Sequence, residues 1–564
     1  MLATMQKQTS AMLNIFNMTD KAYVDLNQGR LNNYFIDNLF QGYNGTEGLD
    51  FIDYALDRWN VKYLSTQQSR LNIPATGPVI LVANQPANLA DVFALLHCVA
   101  DVRDDVKIVL QGHIAALPML QRRVIPVQQQ GKHISLSTIR EIQTALQEQR
   151  VIIIYPAAKP AKISASGMKD GRWGTAFIRL AMKSGASIVT ACIESGSARL
   201  KLHSSILPPF LHKMAEKSFK QPLYEIKINI SESITSNELI KLPVALREKA
   251  KLLKRHLYAS AKGKRSLLST ERTISHPQNP SAVRRELDQA DLLGETQDGH
   301  RIFLYDYKTD SSLMREIGRL REMSFRAVGE GTGLSRDLDL YDQYYRHVVL
   351  WDERNLEIVG AYRLGESANI MANKGVSGLY TTSLFDFMPG MQPYLNNGLE
   401  LGRSFVQPKY WGKRSLDYLW FGLGAYVRNH PEVRYLFGPV SLSDHYPVLA
   451  KDMLIHYYQH YYGAQEVYAK PRLPYVIQAA NENRMQSLFK GDDVEADFVT
   501  LKEQLMHINV RIPTLYKQYT ELTEPGGSQF LAFNVDPNFG FCIDGLVLVD
   551  VMSIRDKKRK RYIG

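Results

Sequence analysis

The sequence predicts an α/β protein built as two domains, and three observations predict it. The chain has 564 residues, too many for one compact core. Between about residue 78 and residue 230, short apolar runs bounded by Pro, Gly and Asn alternate with stretches of helical periodicity, the pattern of a mostly covered sheet. A polar segment rich in Ser, Pro, Lys and Arg, "SAKGKRSLLSTERTISHPQNPSAVRRE" from Ser260 to Glu286, breaks that alternation before it resumes near Leu313.

Residues 1–70 read as a helical segment. In the first domain, 71–258, the strands are "PVILVAN", "VKIVLQG", "VIIIYPA", "SIVTACIESG" and "YEIKINI", with helices in "LSTIREIQTALQEQ" and "GTAFIRLAMKSG". Residues 259–300 are expected as a linker. The second domain, 301–564, opens with the helix "LMREIGRLREMSFRAVGE", followed by strands in "HVVLWD", "EIVGAYRL" and "GLELGRSFV". A helix in "SLDYLWFGLGAYVRNH" precedes the strand "YLFGPVSL", and a less regular extension carries two more strands, "QFLAFNV" and "GLVLVDV". The aromatics of that helix read as core. No internal repeat at solenoid spacing is present.

At 45% hydrophobic and 22% charged residues the composition is ordinary for a globular protein. A formal charge of +11 points to anionic partners: nucleic acid, an anionic membrane surface or an acidic carrier protein. No nucleic-acid-binding motif accompanies the charge, so no nucleic-acid partner is expected. Cys98, Cys192 and Cys542 are widely spaced with no CxxC pair, which argues against a disulfide framework and a zinc site, and no metal is expected. No run of about 18 apolar residues occurs, so membrane contact is expected to be peripheral. The run Lys557, Lys558, Arg559, Lys560 and Arg561 reads as a solvated terminus able to touch anionic headgroups or an acidic carrier.

Two stretches carry chemistry. In "GPVILVANQPANLADVFALL", Gly77 to Leu96, a strand ends in Asn84-Gln85 with Asp91 six residues on. With "LPMLQRRVIPV" and "YPAAKPAK" downstream, this resembles the glycerolipid O-acyltransferase family over roughly residues 75 to 210. That family places a histidine where Gln85 stands, as the base that takes the acceptor hydroxyl's proton while a carboxylate orients it. A carboxamide is able to keep a hydrogen bond to Asp91 but not to take that proton, and Lys159 stands where many relatives have glutamate. The resemblance therefore implies a degenerate site at Asn84, Gln85, Asp91 and Lys159. Without the histidine, Asn84 and Asp91 read equally as turn and helix-cap residues. His97 and His113 lie off the motif and are not taken as replacement bases.

In the second domain, "LREMSF" (Arg321, Phe325) is followed by "DLDLYD" (Asp339, Asp342), "IVGAYRL" (Arg363) and "GLELGRSFV" (Glu400, Arg403). This order and the continuation "VQPKYWGKRSLDYLWFGLGAY" resemble the GNAT-fold ornithine-lipid N-acyltransferases, with acyl-homoserine-lactone synthases as cousins. Joined to the upstream domain, the order is similar to that of the bifunctional ornithine-lipid synthases.

The resemblance implies transfer of a long 3-hydroxyacyl chain from acyl carrier protein, as its phosphopantetheine thioester, to the α-amine of ornithine or a similar amino acid. No bound cofactor is implied. Glu400 is then the base, directly or through a water; Asp339 and Asp342 hold the acceptor's positive end. Arg363 and Arg403 bind its carboxylate or orient Glu400. Arg321, Phe325, Trp411, Gly412, Lys413 and Ser415 contact substrate, the last four at the N-terminus of the helix Ser415 to His430, where backbone amides suit a phosphate. Residues three apart on a strand face opposite ways, so Glu400 and Arg403 reach one site only if Gly402 marks a bulge or the strand twists sharply; without a bulge Arg403 reads as a supporting residue. Taken singly, Asp339 and Asp342 also read as turn residues and Arg363 with Glu400 as a structural ion pair. Two other readings stand beside this one: a bifunctional synthase that also O-acylates the product, and a non-enzymatic membrane- or carrier-binding protein. The expected location is the inner face of the cytoplasmic membrane.

Overall fold

The structure, a computed structural model, describes residues 43, 45–110, 117–127, 129–130, 133–157, 162–164, 167–195, 224–266 and 268–564. Residues 1–42, His113 and Lys159 lie outside these. The chain divides into two compact units, Met1–Thr273 and Ile274–Gly564.

The N-terminal unit is built on a seven-stranded sheet: β1 (Val61–Leu64), β2 (Val79–Ala83), β3 (Lys107–Leu110), β4 (Val124–Pro126), β5 (Val151–Ile154), β6 (Ser187–Ser195) and β7 (Tyr224–Ile230). Their order is β1-β7-β6-β2-β5-β3-β4, parallel except for the β6–β7 pair. All five expected strands are present. β1 and β4 were not expected: each is short and edge-placed, with too few residues to show a period.

β2 is buried throughout because both faces of the sheet are covered. Val79, Leu81 and Ala83 pack on the side of helices α1 (Gly48–Arg58) and α2 (Leu89–Ala100). Ile80 and Val82 face α3 (Leu136–Gln147), α4 (Ala176–Ser184) and α5 (Leu246–Ser260). Each of the Val, Leu and Ile side chains among these contributes roughly 1.5 to 3 kcal/mol by burial.

The stretch expected as a linker, 259–300, is divided between the units. Ser233 and Glu271 exchange backbone hydrogen bonds of 3.1 and 2.8 Å, and Leu268 is buried in the first unit's core. Beyond Ile274, helix α6 (Pro280–Leu287) buries Val283 and Leu287 and packs on α7 (Ser312–Ala327), and β8 (Asp291–Glu295) forms a sheet edge. A few well-spaced apolar residues inside a polar stretch are enough to fix it.

The C-terminal sheet has eight strands. After β8 come β9 (His300–Asp306), β10 (Arg346–Asp352), β11 (Glu357–Glu366), β12 (Gly398–Val406), β13 (Tyr435–Leu442), β14 (Ser528–Asp536) and β15 (Cys542–Asp550). Their order is β8-β9-β10-β11-β12-β13-β15-β14, antiparallel except where β12 meets β13. That parallel pairing holds only for Gly398–Glu400 against Tyr435–Phe437.

Helix α8 (Ser415–Asn429) crosses this sheet. Its two interior glycines weaken helix propensity by about 1 kcal/mol each, but both are required by close packing. A Cβ on Gly422 would lie 2.7 Å from Ile302 and Val348, and one on Gly424 would strike the Tyr562 carbonyl. Tyr562 belongs to α9 (Asp556–Tyr562), the basic run expected as a solvated terminus. It is instead a docked helix: Tyr562 Oη donates to Asp417 at 2.8 Å, Arg561 pairs with the same carboxylate, and Arg428 reaches the Ile563 carbonyl at 3.2 Å. Among the described residues, no helix is long and apolar enough to cross a membrane.

Candidate active site

Past Glu400 the strands β12 and β13 part, and a cavity of about 590 Å³ lies between them. Ser404, Phe405 and Val406 of β12 form one wall; Pro439, Val440 and Ser441 of β13 form the other. Phe325 of α7 lines it, edge-on to Phe539 at 5.0 Å. So do Trp411, Gly412, Lys413 and Ser415, at the N-terminus of α8. Gly412 sits at φ +75°, a conformation that suits glycine, and Trp411 Nε1 donates to the Val406 carbonyl at 2.7 Å. The α8 aromatics Tyr418, Trp420 and Tyr426 are core residues off the cavity wall.

The bulge needed to bring Glu400 and Arg403 together exists. Between the pairs Arg363↔Gly402 and Ala361↔Phe405, two residues of β12, Arg403 and Ser404, face one of β11, Tyr362. Arg403 itself takes the left-handed conformation, φ +49°. The turn of the strand aims its guanidinium at the cavity wall, between the rings of Tyr380 at 4.8 Å and Phe539 at 4.7 Å.

Arg321, Arg363 and Arg403 alternate with Asp337, Asp339 and Asp342 in a closed ring of ion pairs. Arg321 meets Asp337 at 3.2 Å and Asp342 at 2.8 Å; Arg363 meets Asp342 at 3.1 Å and Asp339 at 2.6 Å; Arg403 meets Asp337 at 3.1 Å and Asp339 at 3.7 Å. Three charges of each sign cancel. Burial opposes ionisation of Asp342, but the charges of Arg321 and Arg363 outweigh it and hold the carboxyl far below the usual range.

Asp339 and Asp342 also cap a short 3₁₀ turn, Leu340–Gln343, each accepting the other's backbone N–H at 3.2 and 2.9 Å. Both Asp342 oxygens are thus committed to arginines and to the turn, while Asp339 Oδ2 makes no hydrogen bond among the described residues and has Arg403 at 3.7 Å. Neither of the two aspartates, nor Arg321 or Arg363, lines the cavity. Asp337, two residues ahead of Asp339, was missed; its place in "DLDLYD" was the only signal.

Glu400 does not pair with Arg363. Its carboxylate accepts from Tyr345 Oη, from the backbone N–H of Tyr380 at 3.2 Å and Thr381 at 2.6 Å, and from Thr381 Oγ1 at 2.5 Å. Burial pushes its carboxyl up, against those hydrogen bonds. Glu400 lies off the cavity wall and reaches it through Tyr380, whose phenol accepts from Arg403 Nη1 at 3.0 Å. Four donors thus already occupy the Glu400 carboxylate. No sequence pattern marked Tyr345, Tyr380 or Thr381.

His347, 1% exposed, lies 3.9 Å from Asp342 in the wall of the ring. Burial pushes its imidazole down to about 4, with Asp342 opposing. A depressed folded value means the unfolded chain takes the proton first, so this stability is complete above about pH 6.5 and lost as pH falls towards 4. The loss is about 3 kcal/mol at roughly 1.4 kcal/mol per unit. In His347→Asn, urea unfolding between pH 7 and pH 4 is expected to show a flatter profile by that amount. Glu330, raised to about 7 by burial, runs the opposite way, so only the difference between the two profiles isolates His347.

In the N-terminal unit, Asn84 bridges to β6: its Nδ2 donates to the Ile193 carbonyl at 3.0 Å and its Oδ1 accepts from Ile193 N at 2.7 Å. Gln85 uses its backbone N–H on Asp170, while its Oε1 is buried with no hydrogen-bond partner among the described residues. Asp91 Oδ2 accepts from Ala87 N at 2.7 Å, and the cap of α2 is Asn88, which accepts from Asp91 N. These residues tie strand to helix. His97 is held by Tyr63 and Asp53 at 2.6 Å each.

Two family descriptions match: Acetyltransferase (GNAT) domain over residues 320–421, and Acyltransferase over residues 66–194. The glycine N(alpha)-acyltransferase of Bacteroides thetaiotaomicron is 31% identical over 303 residues, covering 51% of this chain and 89% of that protein. The chain belongs to the amino-acid N(alpha)-acyltransferase family.

Another member, the L-ornithine N(alpha)-acyltransferase of Brucella abortus, is 31% identical over 179 residues, 29% of this chain and 62% of that protein. The GNAT match contains the whole ion-pair ring, Glu400 and the N-terminus of α8; the acyltransferase match contains Asn84, Gln85 and Asp91. The chain is therefore an N-acyltransferase of this family with an acyltransferase domain ahead of the GNAT domain. A solved 1-acyl-sn-glycerophosphate acyltransferase from Thermotoga maritima aligns over 46% of this chain and 90% of that one, at 16% identity and a TM-score of 0.27.

Proposed function

We propose that the C-terminal unit moves a long acyl chain, of the 3-hydroxy type, from the phosphopantetheine thioester of acyl carrier protein to the α-amine of a small amino acid such as ornithine, giving a singly acylated aminolipid. The observation that carries this reading is the cavity between β12 and β13, which joins an apolar wall to the free amides of a helix N-terminus and to buried charge of both signs. Apolar walls suit the chain, the amides suit the phosphate of the arm, and the charges suit a zwitterionic acceptor. Relatives named for glycine and for ornithine support an α-amino acid as the acceptor class.

The N-terminal unit is non-catalytic in this reading, a support for lipid or partner. Gln85 offers no base, and Asn84 and Asp91 are spent on backbone. The protein works on the inner face of the cytoplasmic membrane, held there peripherally; its +11 charge favours both anionic lipid and an acidic carrier.

The test is lipid analysis of a host lacking aminolipids. The full chain is expected to yield singly acylated aminolipid and no doubly acylated form. Doubly acylated lipid from the unmodified chain, with the host's own O-acyltransferases controlled for, would sink the reading of Gln85 and make the protein bifunctional.

A further inference from the structure

The cavity wall carries two carboxylates that lie outside the ion-pair ring and outside every motif in the sequence, Glu330 and Asp544. Glu330 follows α7, its backbone N–H bonded to the Phe325 carbonyl at 2.9 Å. Asp544 lies on β15, in register with Ser441 of β13 on one side and Asn534 of β14 on the other. Residues paired directly across an antiparallel ladder share a face of the sheet, so Ser441 and Asp544 stand side by side. Ser441 Oγ donates to Glu330 Oε2 at 2.9 Å. Glu330, Ser441 and Asp544 thus form a line of polar groups across an otherwise largely apolar wall.

Asp544 is the unusual member. It is 5% exposed, yet its only hydrogen-bond contact is the Cys542 thiol, 3.9 Å from each oxygen. No N–H or O–H of the described residues reaches it. Arg403 is the cation that faces it, but that guanidinium is engaged by Asp337 at 3.1 Å and by the Tyr380 hydroxyl at 3.0 Å. A buried carboxylate with so weak a donor is strongly disfavoured unless it is protonated or a cation comes to it. The ring itself is neutral, so the carboxylates beside it are in excess, and the cavity that Asp544 lines opens the way for a cationic ligand.

We propose that Asp544 and Glu330 form the ammonium site for the acceptor, Asp544 holding the charged amine and Glu330 taking its proton. This rests on the transferase reading above. Glu330 takes one proton from the ammonium. The freed amine attacks the thioester carbonyl carbon, a C–N bond forms, the C–S bond breaks, and the departing sulfur takes the amine's second proton. The products are the amide, the thiol and one proton, carried off by Glu330. Burial pushes Glu330 up to about 7, against the Ser441 hydrogen bond and Arg403, which suits a base working near neutral pH. The titratable and charged groups facing it are Arg403 from β12, Cys542 and Asp544 from β15, Tyr446, and Tyr516 of the helix Thr514–Thr520; His445 packs on the adjacent Gly329.

The experiment uses the purified full chain with a long-chain acyl carrier protein thioester, and glycine or ornithine as acceptor, across pH 5.5 to 8.5. The unmodified chain is expected to show a rising limb of kcat/KM near pH 7. Glu330→Gln is expected to lose at least a hundredfold in kcat together with that limb, and Glu330→Asp to restore a limb. Asp544→Asn is expected to raise the KM for the amino acid at least tenfold while leaving the donor KM in place. Ser441→Ala, which removes one small hydroxyl and tests the same line if a carboxylate variant fails to fold, is expected to move the limb to higher pH. An unchanged limb in Glu330→Gln or Ser441→Ala overturns the assignment while the transferase reading stands. A wild-type chain that acylates no amino acid takes both down.

Discussion

Asp342→Ala is expected to cost the C-terminal unit about 3 to 5 kcal/mol, the range for removing one partner from a buried ion pair. The size follows from what stays behind. Arg321 and Arg363 are each 1% exposed, and both lose their shared partner at 2.8 and 3.1 Å. Asp337 and Asp339 are already divided among the three arginines, so no spare carboxylate exists within the ring to replace the one lost. The Asp342 cap on the Leu340–Gln343 turn goes with it.

Hydrogen exchange at the β10 and β11 amides, which reports this unit separately from the other, is the measurement of choice. The sign with pH is fixed by the depressed carboxyl. Its stability is present above the unfolded value of about 3.9 and lost only as pH falls below it, so the deficit is expected at pH 7 and to shrink in acid. A deficit under about 1 kcal/mol at pH 7 would mean that the ring carries no more weight than an exposed salt bridge.

What the sequence made legible, and what it did not, divides along physical lines. Strands buried on both faces declare themselves as apolar runs, which is why β2, β5 and β6 were plain, while four- and three-residue edge strands such as β1 and β4 carry no period to read. The spacing of Arg321, Asp339, Asp342, Arg363, Glu400 and Arg403 announced a cluster, and the structure brings all six into one connected neighbourhood. Their roles were less legible, because a role depends on which atoms face a void. Asp339 and Asp342 turn out to face arginines. Trp411, Gly412, Lys413 and Ser415 do line the cavity, since a helix start is a local feature that sequence fixes.

The need for a bulge was derivable from the two-residue repeat of a strand, but its position at Arg403 rather than Gly402 was not. Glu330 and Asp544 lie 214 residues apart and meet only because the extension after α8 adds β15 beside β13. No local pattern records a pairing of that kind.

Glu400→Ala is expected to lose at least a hundredfold in kcat/KM, about 2.7 kcal/mol of barrier. Alanine leaves Tyr345 Oη, the Thr381 backbone N–H and Thr381 Oγ1 without their acceptor in a buried site, a situation costing roughly 1 to 3 kcal/mol per group, while the Tyr380 N–H keeps only Tyr345 Oη at 3.0 Å. The Tyr380 turn then loses its anchor, and with it the ring that Arg403 stacks on and the hydroxyl it donates to. Loss of activity alone does not separate a base from a positioning residue. The pH profile does: if Glu400 positions Tyr380 and Arg403, the residual activity of Glu400→Ala keeps its limb near pH 7, and Glu400→Gln, which preserves shape and one acceptor oxygen, recovers part of the rate. If Glu400 is the base, both variants lose the limb and glutamine rescues nothing. The four donors already on its oxygens favour the first outcome, since a carboxylate so occupied must break a hydrogen bond before it takes a proton.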